Sequence, residues 1–107
     1  MIPTAFSDFM GFVMERTRTS DLKWIEGDRG SYITSHLGMS LYLSHDYDED
    51  RGTSSFWFRL ISENGQATPF SVYDYENEYS FMRALYEEVI SNANNASHDV
   101  ARFMRGW

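Results

Sequence analysis

The sequence predicts an α+β domain: an N-terminal helix, an antiparallel sheet of about five strands in a meander, and a C-terminal helix or helices packed on the sheet. Three observations carry this expectation. Apolar residues recur at helical period before Thr19 and again after Asp74. Between these stretches the period changes to two, as in half-buried strands. The alternating segments are separated by short turn signals, which join antiparallel neighbours, and terminal helices then cover a face of the sheet.

Phe6, Phe9, Met10, Val13 and Met14 line one face of the first helix. Thr4 is its expected N-cap, after Pro3. Asp8 near the start and Arg16 and Arg18 near the end suit the helix dipole, and Thr17, Thr19 and Ser20 mark the stop. Leu22, Trp24 and Glu26 then alternate with Lys23 and Ile25. Gly27-Asp28-Arg29-Gly30 is a turn.

Tyr32–Leu37 reads as a strand, punctuated by Gly38. Met39, Leu41 and Leu43 face one way in the next, with Ser40, Tyr42 and Ser44 opposite. The polar stretch Asp46–Ser55 is expected to be a loop. Phe56, Phe58 and Leu60 alternate with Trp57, Arg59 and Ile61. Glu63-Asn64-Gly65 is the strongest hairpin signal, because Asn-Gly supplies the positive φ angles of a tight turn. Phe70 and Val72 lie on the return strand, which begins at Pro69 or lies at an edge, since proline donates no ladder hydrogen bond.

The second helical stripe is Met82, Leu85, Tyr86, Val89, Ile90 and Ala93. Asp74, Glu76 and Glu78 are expected in its first turns, where the dipole favours acids. Asn92, Asn94 and Asn95 are poor helix formers. The helix either runs through them or, as the composition favours, breaks near Asn94-Asn95, before a short terminal helix with Val100, Phe103 and Met104 that Gly106 ends.

The chain has 107 residues, the size of one domain spanning 1–107, and 17% of them are aromatic, which favours a packed core over disorder. It contains no cysteine, which excludes disulfides and thiolate chemistry and fits a reducing, cytoplasmic compartment. No apolar run approaches the ~18 residues of a membrane helix, so no membrane partner is expected. The formal net charge is −7, and residues 46–88 hold ten of the 16 acids but three of the nine bases. With a single lysine, Lys23, direct binding to a nucleic-acid backbone is disfavoured.

The acidic run Asp46, Asp48, Glu49 and Asp50 resembles the start of a calcium loop. However, Arg51 stands where the loop requires glycine, and Trp57 where it requires the closing glutamate. His36, His45 and His98 lack the spacing of a helical zinc site, and no cofactor or metal is expected. Nucleophile elbows and phosphate-binding loops are absent. The charge pattern instead points to a protein partner with a basic surface, met by Asp46, Asp48, Glu49 and Asp50 and by Tyr73, Asp74, Tyr75, Glu76 and Glu78. Trp57 and Tyr42 alternate away from the apolar strand faces, onto an aromatic sheet face suited to a partner or a homodimer.

The expected function is therefore binding that blocks or sequesters a protein target, of inhibitor, immunity or chaperone type. One alternative is an inhibitor that mimics nucleic acid with its carboxylates. Another is a small-molecule site or enzyme between sheet and helices, with Arg59, Arg83 and His36 as its polar groups.

Overall fold

In the computed structural model, which describes residues 1–107, a 3₁₀ turn at Thr4–Phe6 leads into α1 (Ser7–Arg18). Five strands follow: β1 (Ile25–Glu26), β2 (Ser31–His36), β3 (Met39–Asp48), β4 (Thr53–Ile61) and β5 (Ala67–Tyr73). The chain ends in α2 (Tyr79–Ala93) and α3 (Ala96–Arg105). The strands form one antiparallel sheet in the order β1-β2-β3-β4-β5, a meander. The predicted α+β architecture is thus observed, including the break between the last two helices. Asn95 sits there in the left-handed region at φ 56°, a conformation asparagine tolerates better than most residues.

The core lies between one sheet face and two helices. Phe6, Met10, Val13 and Met14 from the first helical segment and Met82, Leu85 and Val89 from α2 are buried against Tyr32, Leu41, Leu43, Phe56, Phe58, Phe70 and Val72. The rungs Leu43–Phe58–Phe70 and His45–Phe56–Val72 run across three strands on this face. Phe58 stacks on Phe70 at 5.2 Å, and the Phe6 ring meets both of them. Trp24 is buried in the same core, and its indole Nε1 donates to Thr17 Oγ1 at 3.0 Å.

Four local expectations are corrected. Asp46–Ser55 is mostly strand: β3 continues to Asp48, β4 starts at Thr53, and only the intervening residues turn. Nine rungs of cross-strand pairing hold these polar residues extended, overriding their composition. The Asn64-Gly65 hairpin is present, but its ladder closes at Ile61–Ala67 and only Gly65 takes a positive φ, 85°. The loop is therefore wider than a two-residue turn, with Ser62 and Asn64 side chains hydrogen-bonded inside it. Thr4 does not cap α1; it opens the 3₁₀ turn, and its carbonyl accepts from Ser7 Oγ at 3.0 Å. The alternation from Leu22 to Glu26 shortens to the two residues of β1, because Trp24 turns inward and its amide bonds to Asn92 rather than to a strand.

The tight two-residue hairpin is instead the one at Leu37-Gly38, where both residues have positive φ, 53° and 75°. Pro69 lies within β5, an edge strand, opposite Arg59.

Candidate functional site

Because α1 and α2 lie on the same side of the sheet, the opposite face is left open. Its side chains follow from register. One rung carries Tyr73, Ser55 and Asp46; the next carries Ser71, Trp57, Ser44 and Ser31; the third carries Pro69, Arg59, Tyr42, Ile33 and Ile25. Trp57 remains 41% exposed on this face. Its indole N–H donates to Ser55 Oγ at 2.9 Å, which fixes the ring along the sheet surface. Tyr73 meets the Trp57 ring edge-on at 6.5 Å, and Tyr75 stacks on Tyr73 at 5.6 Å. Tyr42 is half-buried and lies under the Arg59 guanidinium, 4.3 Å from the ring centre, a cation–π arrangement.

The acids divide into two groups. Asp48 turns inward on its own hairpin: Oδ1 accepts from the amides of Asp50 (3.0 Å) and Arg51 (3.3 Å), and Oδ2 lies 3.8 Å from Arg51 Nε. Asp74 accepts from the Ser54 amide at 2.8 Å and returns its own amide to the Ser54 carbonyl at 3.0 Å. Glu76 accepts from the Tyr73 amide at 2.9 Å and pairs with the Met1 ammonium at 2.9 Å. Those two interactions, the amide first, hold its carboxyl below the usual range. Glu78 accepts from the Ile2 amide at 3.3 Å.

Asp74, Glu76 and Glu78 therefore precede α2 rather than occupying its first turn, which has no acid. The dipole preference that predicted them on the helix is overridden by backbone amides within reach of their carboxylates. They tie the β5–α2 junction to β4 and to the N-terminal segment. Asp46, Glu49 and Asp50 take part in none of the ion pairs and are exposed, Asp46 on the open face and Glu49 and Asp50 in the β3–β4 turn. Of the residues predicted to bind a partner, the structure thus groups Trp57, Tyr73 and Tyr75 with Asp46 on the open face and leaves Glu49 and Asp50 in the turn beyond it. Tyr42 lies further along the same face, and Asp48, Asp74, Glu76 and Glu78 have internal roles.

The three polar groups expected around a pocket do not converge. Arg59 is on the open face. Arg83 lines a shallow groove with His45, Phe56, Tyr79 and Tyr86 on the other side. In that groove the Tyr86 hydroxyl donates to the Gly30 carbonyl at 2.6 Å, and burial raises its pKa. His36 stands at an apolar cleft of about 140 Å³ between α1 and the sheet, lined by Phe9, Phe12, Leu22, Met39 and Leu60. That volume suits one ring rather than a drug-sized ligand. No group of three or more His, Asp or Glu side chains is positioned to hold a metal ion. No buried side-chain polar atom lacks a partner. No helix is long and apolar enough to cross a membrane.

The most connected polar residue escaped the sequence reading. Asn92 is buried on α2; its Oδ1 accepts from the Trp24 amide at 2.8 Å, and its Nδ2 donates to the Thr17 and Leu22 carbonyls at 3.0 and 2.8 Å. The available signal was its position, in step with Leu85 and Val89 on the apolar stripe. A polar residue on a buried face must find partners. No family model, curated protein or solved structure matches the chain.

Proposed function

We propose that the chain is a protein-binding module that holds a basic partner on its open sheet face and acts by blocking or sequestering it, as an inhibitor, immunity factor or chaperone does. The observation that supports this reading is the row of rings Trp57, Tyr73 and Tyr75, of which Trp57 and Tyr75 are exposed, with the free carboxylate of Asp46 in the rung next to Trp57 and exposed Glu49 and Asp50 in the turn beyond it. Aromatic side chains supply the desolvated anchor of an interface, and rim charges supply steering and register. Arg59 sits two rungs from Asp46, so positive charge on the partner belongs at the β3–β4 end. The same face is also where a second copy of the chain can pair.

The test is quantitative capture from the native host with wild type, Trp57→Ser, and Asp46→Lys/Glu49→Lys/Asp50→Lys. The expected result is one basic protein that wild type retains and both variants release. Capture that ignores Trp57 but collapses with the charge reversal and with salt is the behaviour of a nucleic-acid mimic. Retention by both variants refutes the open face as the binding surface.

A further inference from the structure

The cleft between α1 and the sheet is the most apolar cavity of the molecule: seven of its nine lining residues are hydrophobic. From one side α1 contributes Phe9 and Phe12, whose rings lie 20° from parallel at 6.5 Å. From the other, β3 and β4 contribute Met39, Leu41 and Leu60. The volume of about 140 Å³ is close to the ~150 Å³ at which an apolar protein cavity stays dry and takes up a benzene-sized molecule. The cleft also opens to solvent, for Phe12 is 53% exposed and Met39 and Leu60 are only half-buried.

Its polar borders are sparse. Thr34 is buried, and its hydroxyl proton is already used in a 2.7 Å bond to the Lys23 carbonyl. His36 stands where the cleft meets a polar depression that holds Arg16 and Asp21. Its imidazole joins none of the ion pairs or side-chain hydrogen bonds of the protein, and an imidazole can both donate and accept. Arg16 and Asp21 pair with each other at 2.7 Å, so their charges balance at the mouth.

We propose that this cleft is a binding site for a small neutral aromatic compound of the phenol class, with its ring inside and its hydroxyl at His36. The Phe9 and Phe12 rings and the Met39 thioether favour an aromatic ring over an alkyl chain. A carboxylate at the mouth meets Asp21 and an ammonium meets Arg16, so net charge on the ligand gains nothing there. The volume admits one ring and no fused second one. The site lies on the helix side of the sheet and is independent of the open face and its partner.

Titration of the full-length chain with phenol, toluene and benzoate, followed by carbon-13 methyl NMR, tests the proposal. Phenol is expected to shift the methyl signals of Leu22, Met39, Leu41 and Leu60 saturably, with a Kd on the order of 0.1–1 mM. Intermolecular NOEs from its ring protons to Leu41 and Leu60 then locate it without recourse to a variant. Benzoate binds about tenfold or more weakly. His36→Leu weakens phenol about five- to tenfold, the worth of one hydrogen bond. The same variant leaves toluene, of equal size but without the hydroxyl, bound as tightly as before or more tightly. Leu60→Phe fills the cleft with a ring of its own and abolishes binding of both, and a thermal midpoint at or above that of wild type shows that it folds.

An absence of saturable shifts up to ~10 mM phenol overturns the site. So does phenol binding that Leu60→Phe leaves intact, or NOEs to Trp57 and its neighbours instead of to Leu41 and Leu60. Benzoate binding as tightly as phenol overturns the ligand class. Phenol and toluene weakened together by His36→Leu, or phenol unaffected by it, overturns the role of the imidazole and the phenol class with it.

Discussion

Asn92 joins three segments that are remote in sequence: the end of α1, the approach to β1 and α2 itself. Its backbone carbonyl also accepts from Lys23 Nζ at 2.6 Å. Truncation to alanine strands the Trp24 amide and two carbonyls in a buried setting, at a cost of about 2–4 kcal/mol. Urea denaturation of Asn92→Ala is expected to show that loss as a lower midpoint with an unchanged slope. Glu76 makes a second residue-scale prediction. Its folded carboxyl pKa is depressed by the Tyr73 amide and the terminal ammonium. Its stabilisation is therefore present above the ordinary carboxylate pKa and lost as pH falls through the depressed one. Wild type should exceed Glu76→Gln in stability at neutral pH, and the difference should shrink on acidification below the ordinary value. Asp21, depressed by Arg16 and Thr19, titrates in both chains and cancels in the difference.

At the scale of elements, α1 and α2 are defined by the burial of one stripe each, whereas α3 has no buried stripe and contacts the rest of the molecule through α2. The joint between them depends on the left-handed conformation of Asn95. A β-branched residue there is strained by roughly 1–2 kcal/mol. In dilute solution the strain is released by fraying α3 rather than by opening the core. Asn95→Val is accordingly expected to lower helical ellipticity while leaving the thermal midpoint of the near-ultraviolet signal unchanged. A large fall in that midpoint would mean that α3 supports the core. The strands behave in the opposite way: β3 and β4 stay paired through Asp46, Asp48 and Ser55, residues with poor strand preference, because the ladder beside them is continuous.

Over the whole molecule, charge and shape are segregated. One sheet face is sealed by helices; the other presents rings and carboxylates at one end, and the single basic amphipathic element projects from the helix layer. Under the proposed function, the net charge of −7 would attract a basic partner at long range, and the rings would hold it at short range. Raising salt from ~0.1 to ~1 M shortens the screening length from ~10 to ~3 Å. Stopped-flow association with a basic partner should therefore slow steeply with salt, with dissociation changing much less. Dissociation that accelerates in proportion would place the affinity in the charges rather than in Trp57 and its neighbours.

The sequence by itself determined the order of elements and the stripes that enter the core, and it favoured a break at Asn94-Asn95 without excluding a continuous helix. Each of these is written in spacings of two to four residues, the range over which a strand or helix repeats. It also marked Trp57 and Tyr42 as facing away from the apolar strand faces, since alternation alone assigns sides. Only the tertiary structure decided that both long helices cover the same side, leaving those rings on an open face. Only it separated the free carboxylates of Asp46, Glu49 and Asp50 from those of Asp48, Asp74, Glu76 and Glu78, which are engaged by backbone amides, by Arg51 and by the terminal ammonium. The Ile2 amide bonded by Glu78 is 76 residues away, and the Trp24 amide bonded by Asn92 is 68 away. No local period encodes such partners; they exist only once the sheet has brought distant segments within hydrogen-bonding reach.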